Sequence, residues 1–204
     1  LRCLPNVIAM APKDEDELAD MMFTATHESH PTFIRYPRGA GEGTPIKDQP
    51  RLLEIGKAEV IRNFSSNGGR KIALFGLGNL NSMARKAADQ LAQEGYDVAV
   101  INPRFTKPLD AGTHEFFGRA ADMVVTLEDH ALMGGYGSSV LELFSEKAIN
   151  TPVARIGWPD QFIEHATTQD ELRRKYGISV ENVIAKVKAQ FTETPAVATM
   201  TQFA

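Results

Sequence analysis

Short apolar segments of strand length alternate with longer amphipathic segments along most of this chain. The strand segments are KAEVIRN (57–63), KIALFG (71–76), DVAVIN (97–102), DMVVTLED (122–129) and TPVARIG (151–157). Helical spacing of apolar residues is found at 80–94, at 111–119, after GGYG (134–137), at 168–174 and at 179–191. Strands that alternate with helices lie side by side through right-handed crossovers. We therefore predict an α/β fold with an open, mostly parallel sheet flanked by helices.

The first 40 residues carry a smaller strand–helix–strand pattern, which is the building block of a parallel sheet. VIAM (7–10) and TFIR (32–35) have strand character. Between them Asp14 is a candidate N-cap, with Glu17 three residues on as in a capping box. The helical spacing predicts a buried face that consists of Leu18, Met21, Met22 and Ala25.

A change of composition separates this first unit from the rest of the chain. Residues 39–57 are rich in glycine, proline and charge and show no clear period. Such a stretch is typical of a linker between two structural units. The expected organisation is a unit at 1–40, a linker at 41–57, a second unit at 58–191 and a loosely held tail at 192–204.

Composition and charge argue against several classes of function. Of the 204 residues, 22 are Lys or Arg and 26 are Asp or Glu, which gives a formal net charge of −4. This mildly acidic balance gives no support for binding to nucleic acid or to an anionic membrane. No apolar run approaches the roughly 20 residues of a membrane span. Cys3 is the single cysteine, so an intrachain disulfide is excluded and a reducing, cytoplasmic setting is expected.

The segment RYPRG (35–39) is the first candidate site. Arg35 and Arg38 follow a predicted strand, and Pro37 fixes one backbone angle between them. Two guanidinium groups held in this way can form a fork for a phosphate or a carboxylate. Either arginine can equally pair with a carboxylate elsewhere in the fold. The residues alone leave both interpretations open.

GLGN (76–79) lies between a predicted strand and a predicted helix, where glycine-rich turns can cradle phosphates. Asn81 stands in place of the third glycine of the G-x-G-x-x-G pattern, and no acidic residue ends the following strand. We therefore favour a tight turn in which Asn79 or Asn81 caps the helix.

EDHALMGGYG (128–137) follows a predicted buried strand, at the sheet edge where α/β proteins bind ligands. Glu128 and His130 are a candidate pair for proton transfer. The glycines have a simpler explanation, because they allow the next helix to pack close to the sheet. We favour this structural role, with a subunit interface as a further interpretation.

FIEH (162–165) combines an aromatic residue, a carboxylate and an imidazole, that of His165, in a predicted loop. Two candidate ligands without a third partner do not make a metal site. The other histidines named here stand apart from acidic or cysteine partners at ligand spacing: His27, His30 and His114. We therefore predict that the chain binds no metal.

Five segments, read in order, carry a resemblance to a known family. They are LPNVIAMAPKDEDEL, FIRYPRGAG, RFTKPLD, VVTLEDHALMGGYGSSVLELF and IGWPDQFIEH. Together they resemble the last third of the 1-deoxy-D-xylulose-5-phosphate synthases, which are thiamine-diphosphate enzymes related to transketolase. RFTKPLD and GGYGSS are shared with transketolases and with the beta subunits of 2-oxo acid dehydrogenases. RYPRG together with FIEH points to the synthases.

The resemblance implies that the chain contains parts of two domains. Residues 1–40 resemble the C-terminal part of a pyrimidine-binding domain, and residues 58–191 resemble a transketolase C-terminal domain. The parent enzyme would condense pyruvate, with decarboxylation, and D-glyceraldehyde 3-phosphate in isoprenoid and thiamine precursor synthesis, as a cytoplasmic homodimer. Arg38 matches the family residue that binds the aldehyde's phosphate, a role that suits its place in the arginine fork. Arg35 and Tyr36 would then give local support.

The same resemblance implies that the parent uses thiamine diphosphate and Mg²⁺. The family's GDG-plus-asparagine motif, its cofactor-activating glutamate and its thiazolium-facing histidines are not found in these 204 residues. The chain also opens on Leu1 and enters a predicted strand almost at once. We therefore expect a C-terminal fragment with no catalytic residue, no bound cofactor and no activity by itself.

Local departures from the family pattern leave other functions open. Ala166 follows FIEH where the family usually has glycine, and Asp129 with His130 follows Glu128 where a second glutamate is usual. A diverged enzyme with a different acceptor would fit these changes. One alternative is a non-catalytic assembly or regulatory module of transketolase C-terminal fold. Another is a part of a transketolase or of a 2-oxo acid dehydrogenase beta subunit.

Overall fold

The computed structural model describes residues 1–66, 68–165 and 167–192, which form eight strands and six helices. The strands are β1 (Ile8–Met10), β2 (Thr32–Ile34), β3 (Glu59–Arg62), β4 (Lys71–Gly76), β5 (Asp97–Asn102), β6 (Phe105–Lys107), β7 (Met123–Ala131) and β8 (Val153–Trp158). The helices are α1 (Glu15–His27), α2 (Leu80–Gln93), α3 (Ala111–Ala120), α4 (Tyr136–Glu146), α5 (Gln169–Lys175) and α6 (Val180–Thr192). Each strand and helix predicted from the sequence is present, and β6 is added to them.

The larger sheet has five strands in the order β3-β5-β4-β7-β8. β4, β5, β7 and β8 run parallel, and β3 runs antiparallel along the outer edge of β5. In the middle of the sheet Leu74 of β4 pairs with Val100 of β5 and with Val125 of β7. The prediction of an open, mostly parallel α/β sheet is confirmed.

Helices cover both faces of this sheet, so its strands are apolar on both sides. α2 and α6 pack on one face, and α3 and α4 pack on the other. Ala84, Ala87 and Ala88 of α2 are completely buried, and their small side chains bring the helix close to the sheet. Leu74 is also completely buried, so its replacement by alanine would cost about 2–5 kcal/mol of stability.

The smaller sheet joins the first 40 residues to the rest of the chain. β1 pairs in parallel with β2, and β6 pairs antiparallel with the other edge of β1. Phe105 of β6 is buried against Ile8, Met10 and Met21. The sequence did not predict β6, because Phe105 is the single apolar residue of this strand and no apolar run marks it. β1 is therefore paired on both of its edges within the chain.

The buried face of α1 differs from the predicted one. The buried residues of this helix are Glu17, Asp20, Met21 and Thr24, and Met22 is exposed. Three of the four buried side chains are polar, which apolar spacing cannot predict. The helix is turned so that these polar groups meet the linker and the larger sheet.

The predicted linker has no helix or strand and follows the polar face of α1. The amide of Lys47 donates to Asp16 Oδ1 at 2.9 Å, and that of Arg51 donates to Asp20 Oδ1 at 2.7 Å. Further along, the amide of Leu53 donates to Thr24 Oγ1 at 2.9 Å. These bonds satisfy backbone donors that have no secondary-structure partner, which is why α1 buries polar side chains here.

The predicted cap of α1 is half confirmed. Asp14 Oδ1 accepts a hydrogen bond from the Glu17 amide at 2.8 Å, as expected of an N-cap. The reciprocal bond of a capping box is absent from the described residues, because the Glu17 carboxylate accepts from the Lys13 amide instead. The same carboxylate also accepts from Asn102 and Arg104 in the interior.

Among the described residues, no helix is both long enough and apolar enough to cross a membrane. Most of the tail predicted at 192–204 lies outside the described residues, and Thr192 is the last residue of α6. Ala166, noted above as a departure from the family pattern, also lies outside them.

Candidate functional site

An open groove lies between the N-terminal part of the chain and the helices α2 and α5. Its walls are the loop before α1 with the first turn of that helix, the turn at 36–42, the first turns of α2 and the beginning of α5. Its volume is about 700 Å³, which is within the usual range for small-molecule sites. RYPRG and GLGN, separate in the sequence, therefore border the same groove.

Arg38 lines this groove as a free cation. Its side chain is exposed, and it makes no hydrogen bond or ion pair with the residues that the structure describes. Lys86 of α2 lines the groove in the same state. Lys13 and Arg173 line it too, but both are held in ion pairs. Arg38 and Lys86 are thus the groove cations available to an anionic ligand.

Acidic side chains also border the groove, and most of them are engaged. Those held by hydrogen bonds or ion pairs are Asp14, Glu15 and Asp170. Glu42 is exposed and has no partner in the described part of the chain. An anion in the groove is therefore attracted by Arg38 and Lys86 and repelled by Glu42.

Arg35, unlike Arg38, is held by a partner within the fold. Its Nη2 donates to the main-chain oxygen of Asp129 and lies 4.0 Å from Asp129 Oδ2. Its amide donates to the Met10 carbonyl at 2.9 Å. Tyr36 is 59% exposed and lines the groove beside Arg38. The structure separates the two arginines geometrically, while their roles in binding stay predictions.

Asp129, at the end of β7, is the centre of a buried polar cluster. Its Oδ1 accepts from Trp158 Nε1 at 2.8 Å, and its Oδ2 accepts from Arg173 Nη2 at 2.5 Å and from Gln169 Nε2 at 3.3 Å. Burial by itself raises the pKa of this carboxyl. The hydrogen bonds from Arg173 and Trp158 and the charges of Arg173 and Arg35 outweigh burial, so the pKa lies below its ordinary value. Asp129 is therefore ionised at neutral pH.

Glu128 caps α4 from the neighbouring strand. It is completely buried and accepts from the amides of Tyr136 at 2.6 Å and of Gly137 at 3.0 Å. Burial raises its pKa to about 7, although these two hydrogen bonds lower it. A Cβ atom at Gly135 would lie 2.2 Å from Glu128 Oε2, and one at Gly137 would lie 2.8 Å from Oε1. The glycines therefore admit the buried carboxylate, and His130 Nδ1 lies 3.2 Å from it.

The expected cap of α2 by an asparagine side chain is wrong. Asn79 is the N-cap residue but makes no side-chain capping bond. The Asn81 amide Nδ2 instead donates back to the carbonyls of Gly76 at 2.5 Å and of Gly78 at 3.0 Å. Asn81 is buried inside the turn, where its side-chain amide is used by these two carbonyl acceptors. The tight turn itself is present, with Gly78 at φ +61°.

Glu17 forms a buried junction that the sequence reasoning missed. It is 1% exposed and accepts from Arg104 Nε at 2.6 Å, from Asn102 Nδ2 at 2.9 Å and from the Lys13 amide at 2.8 Å. Arg104 follows β5 and also lies 3.5 Å from Glu59. The signal in the sequence was a single glutamate at a capping position, which gave no indication of an ion pair 87 residues away.

His114 is a satisfied core histidine. Its Nδ1 donates to the Asp110 carbonyl at 2.6 Å, so its Nε2 accepts from the Tyr136 hydroxyl at 2.7 Å. Burial lowers its pKa to about 4, and the ring stacks on Phe75. This imidazole is neutral at physiological pH and has no access to solvent.

FIEH lies on the surface. Phe162 is fully exposed, His165 is exposed, and Glu164 pairs with Lys175 at 2.5 Å. In the described part of the chain, no group of three or more His, Cys, Asp or Glu side chains is placed to hold a metal ion.

The described fold and groove define an α/β domain of the transketolase C-terminal type. The family described as "Transketolase, C-terminal domain" matches residues 56–183, which is more than half of the 204 residues. The chain therefore belongs to the transketolase C-terminal domain family.

Curated relatives are more specific than the family. The chain is 52% identical, over 90% of its length, to a 1-deoxy-D-xylulose-5-phosphate synthase of Methylacidiphilum infernorum, of which it covers 28%. It is 49% identical, over 95% of its length, to the enzyme of the same name from Acidobacterium capsulatum, of which it covers 30%. The chain thus spans less than a third of these relatives, and the matched region is their C-terminal part.

A solved structure shares the fold. It is described as a split gene transketolase, inactive beta4 tetramer, and superposes with a TM-score of 0.78 at 30% sequence identity. The match covers 92% of this chain and 58% of that one. The match is therefore longer than the segment 56–183 that the family matches.

Proposed function

We propose that this chain is the C-terminal part of a 1-deoxy-D-xylulose-5-phosphate synthase. Such a transferase condenses pyruvate, with decarboxylation, and D-glyceraldehyde 3-phosphate into 1-deoxy-D-xylulose 5-phosphate for isoprenoid and thiamine precursor synthesis. In this proposal the enzyme is a cytoplasmic homodimer, and residues 1–40 complete its pyrimidine-binding domain. The proposal is supported by relatives of that name that match 90% and 95% of the chain.

The observation that carries the proposal is the free Arg38 in the groove. A phosphate is a dianion with several acceptor oxygens, and a guanidinium binds it through paired N–H donors. Arg38 has no competing partner among the described residues, and Pro37 limits the backbone that presents it. Binding of the phosphate at this point positions the aldehyde end of the substrate for reaction elsewhere.

The proposed reaction requires thiamine diphosphate and Mg²⁺. Mg²⁺ takes oxygen ligands, above all carboxylates, and the described residues supply no such cluster. They therefore do not fit the metal–diphosphate end of the cofactor. We infer that other parts of the protein bind the cofactor and that this chain contributes the phosphate contact.

The test uses the full-length protein with pyruvate, D-glyceraldehyde 3-phosphate, thiamine diphosphate and Mg²⁺. We expect 1-deoxy-D-xylulose 5-phosphate as the product. Arg38→Ala should raise the KM for the phosphorylated aldehyde roughly 10- to 100-fold, because a hydrogen bond to a charged group contributes about 1.5–3 kcal/mol. The KM for pyruvate should stay unchanged.

Arg85→Ala is the matched control for this experiment. Arg85 is exposed on the same helix as Lys86 but does not line the groove. Its replacement should leave both Michaelis constants unchanged. Equal effects of Arg38→Ala on pyruvate and on the aldehyde, or formation of a different product, would contradict the proposal.

A second candidate function is that of a non-catalytic assembly subunit. It is favoured by the likeness to the chain described as a split gene transketolase, inactive beta4 tetramer. In this case the chain by itself forms a stable oligomer and has no activity without a separately encoded partner. Sedimentation of the 204-residue chain distinguishes the two, because a discrete tetramer supports the assembly subunit and a monomer contradicts it.

A further inference from the structure

Asp129 contacts both walls of the groove although it does not line the groove itself. Arg35, three residues before Arg38, donates to the main-chain oxygen of Asp129 and lies 4.0 Å from its Oδ2. From the other wall, Arg173 of α5 donates to Asp129 Oδ2 at 2.5 Å. The residue therefore lies between the turn that carries Arg38 and the helix that faces it.

The first wall is fixed at the start of the RYPRG turn. The side chain of Arg35 is held by Asp129, and its amide is held by the Met10 carbonyl at the end of β1. Pro37 restricts φ in the middle of the turn. With Arg35 held at both its main chain and its side chain, the position of Arg38 follows from it.

The second wall depends on Asp129 even more directly. α5 has seven residues, and none of them is buried. A helix this short is not stable without tertiary contacts. Arg173 and Gln169 both line the groove and both donate to Asp129 Oδ2. Asp129 thus holds two side chains of α5 on the side that faces the groove, whereas the Lys175–Glu164 pair holds the end of the helix.

The charges of Asp129, Arg35 and Arg173 also indicate that Asp129 holds the two walls together. Asp129 is 4% exposed and ionised, and its Oδ2 lies 4.0 Å from Arg35 Nη2 and 2.5 Å from Arg173 Nη2. Its negative charge therefore attracts both guanidinium groups, and loss of that charge would leave two positive groups around this position without the carboxylate between them. The turn and α5 would then move apart.

We propose that Asp129 is a positioning residue for the phosphate site: it holds the RYPRG turn and α5 at the separation at which Arg38 binds the substrate's phosphate. This inference rests on the function proposed above for Arg38. Asp129 acts through Arg35 and α5 and does not touch the substrate.

The test compares Asp129→Asn with the unmodified full-length protein. Asparagine keeps the size of the side chain and an oxygen for the Trp158 indole, but it removes the charge that holds Arg35 and Arg173. We expect the KM for D-glyceraldehyde 3-phosphate to rise about tenfold, since a displacement of about 1 Å is enough to disturb a binding geometry. The KM for pyruvate should not change. KM is independent of the amount of folded enzyme, so partial misfolding cannot imitate this result.

Asp97→Asn is the matched control. Asp97 is equally buried and accepts hydrogen bonds from the amides of Ser65 at 2.7 Å and of Ser66 at 2.9 Å. It lies at the beginning of β5, whereas Asp129 lies near the end of the parallel strand β7. We expect Asp97→Asn to lower stability and to leave both Michaelis constants unchanged. An equal rise of the aldehyde KM in both variants would overturn the positioning role.

A double variant separates this inference from the function on which it rests. If Asp129 acts through Arg38, then Asp129→Asn should raise the aldehyde KM no further in an Arg38→Ala background. Full additivity there, or no effect of Asp129→Asn alone, would overturn the inference while Arg38 keeps its role. No effect of Arg38→Ala on the aldehyde KM would instead overturn the proposed function.

Discussion

Replacement of Glu17 by alanine tests how the first 40 residues are held to the larger sheet. The Glu17 carboxylate is buried and binds the side chains of Arg104 and Asn102 and the amide of Lys13. Its removal takes an acceptor from a guanidinium, a side-chain amide and a backbone amide. Glu59 remains 3.1 Å from Asn102 Nδ2 and 3.5 Å from Arg104 Nη2, so the Lys13 amide and Arg104 Nε are the donors that lose their acceptor.

The expected loss of stability can be worked from this geometry. Breaking a buried ion pair by removing one partner costs about 3–5 kcal/mol. The Arg104 side chain is 18% exposed, so water can partly replace the lost acceptor. We therefore take the lower value, about 3 kcal/mol. At roughly 2–4 °C per kcal/mol for a chain of this size, Tm should fall by about 10 °C.

Urea unfolding of the 204-residue chain is the assay, followed by circular dichroism and by tryptophan fluorescence. Trp158 is the only tryptophan and belongs to the larger sheet, so its emission follows the unfolding of that sheet. In Glu17→Ala the dichroism transition should begin before the fluorescence transition, because the first unit separates first. Glu146→Ala is the control, since Glu146 is exposed and has no partner in the described residues. Equal stability of the two variants would refute the reasoning.

Further predictions concern Glu128 and the cofactor. The pKa of Glu128 in the folded protein is about 7, which is above its ordinary value of 4.5. The contribution of the protonated Glu128 carboxyl to the free energy of unfolding is therefore complete at low pH and is lost as pH rises from 4.5 to about 7. Between those limits the unfolding free energy of the native chain should fall, relative to Glu128→Gln, by on the order of 3 kcal/mol, and parallel pH profiles of the two proteins would contradict this. Thiamine diphosphate titrated with Mg²⁺ into the 204-residue chain should give no binding heat, and micromolar affinity would show that this chain holds cofactor ligands after all.

The larger sheet was predictable because its strands are long and apolar. β4, β5 and β7 are buried on both faces, so their apolar runs stand out from the amphipathic helices between them. β6 could not be predicted, because its three residues pair with β1 through the backbone and bury a single phenylalanine, Phe105. The buried face of α1 failed for a related reason: Asp20 and Thr24 are buried as acceptors for linker amides, which apolar spacing does not record.

The sequence pointed to Arg38 as a candidate residue but not to the groups arranged around it. The residues alone offered Arg35 and Arg38 as equals, the family resemblance selected Arg38, and only the fold gives Arg35 a partner, Asp129, that lies 94 residues away. The second free cation, Lys86, had no signal at all, because it reads as an exposed helix residue. Contacts between distant segments follow from the sheet order, and neither residue type nor spacing encodes them locally.

The proposed function depends on Arg38 as the group that binds the phosphate of the aldehyde substrate. The most direct measurement compares kcat/KM for D-glyceraldehyde 3-phosphate and for unphosphorylated D-glyceraldehyde in the full-length protein and in Arg38→Ala. We predict that the preference for the phosphorylated aldehyde falls roughly 10- to 100-fold in the variant, while the value for D-glyceraldehyde stays the same. An equal fall for both aldehydes, or an unchanged preference, would contradict the account.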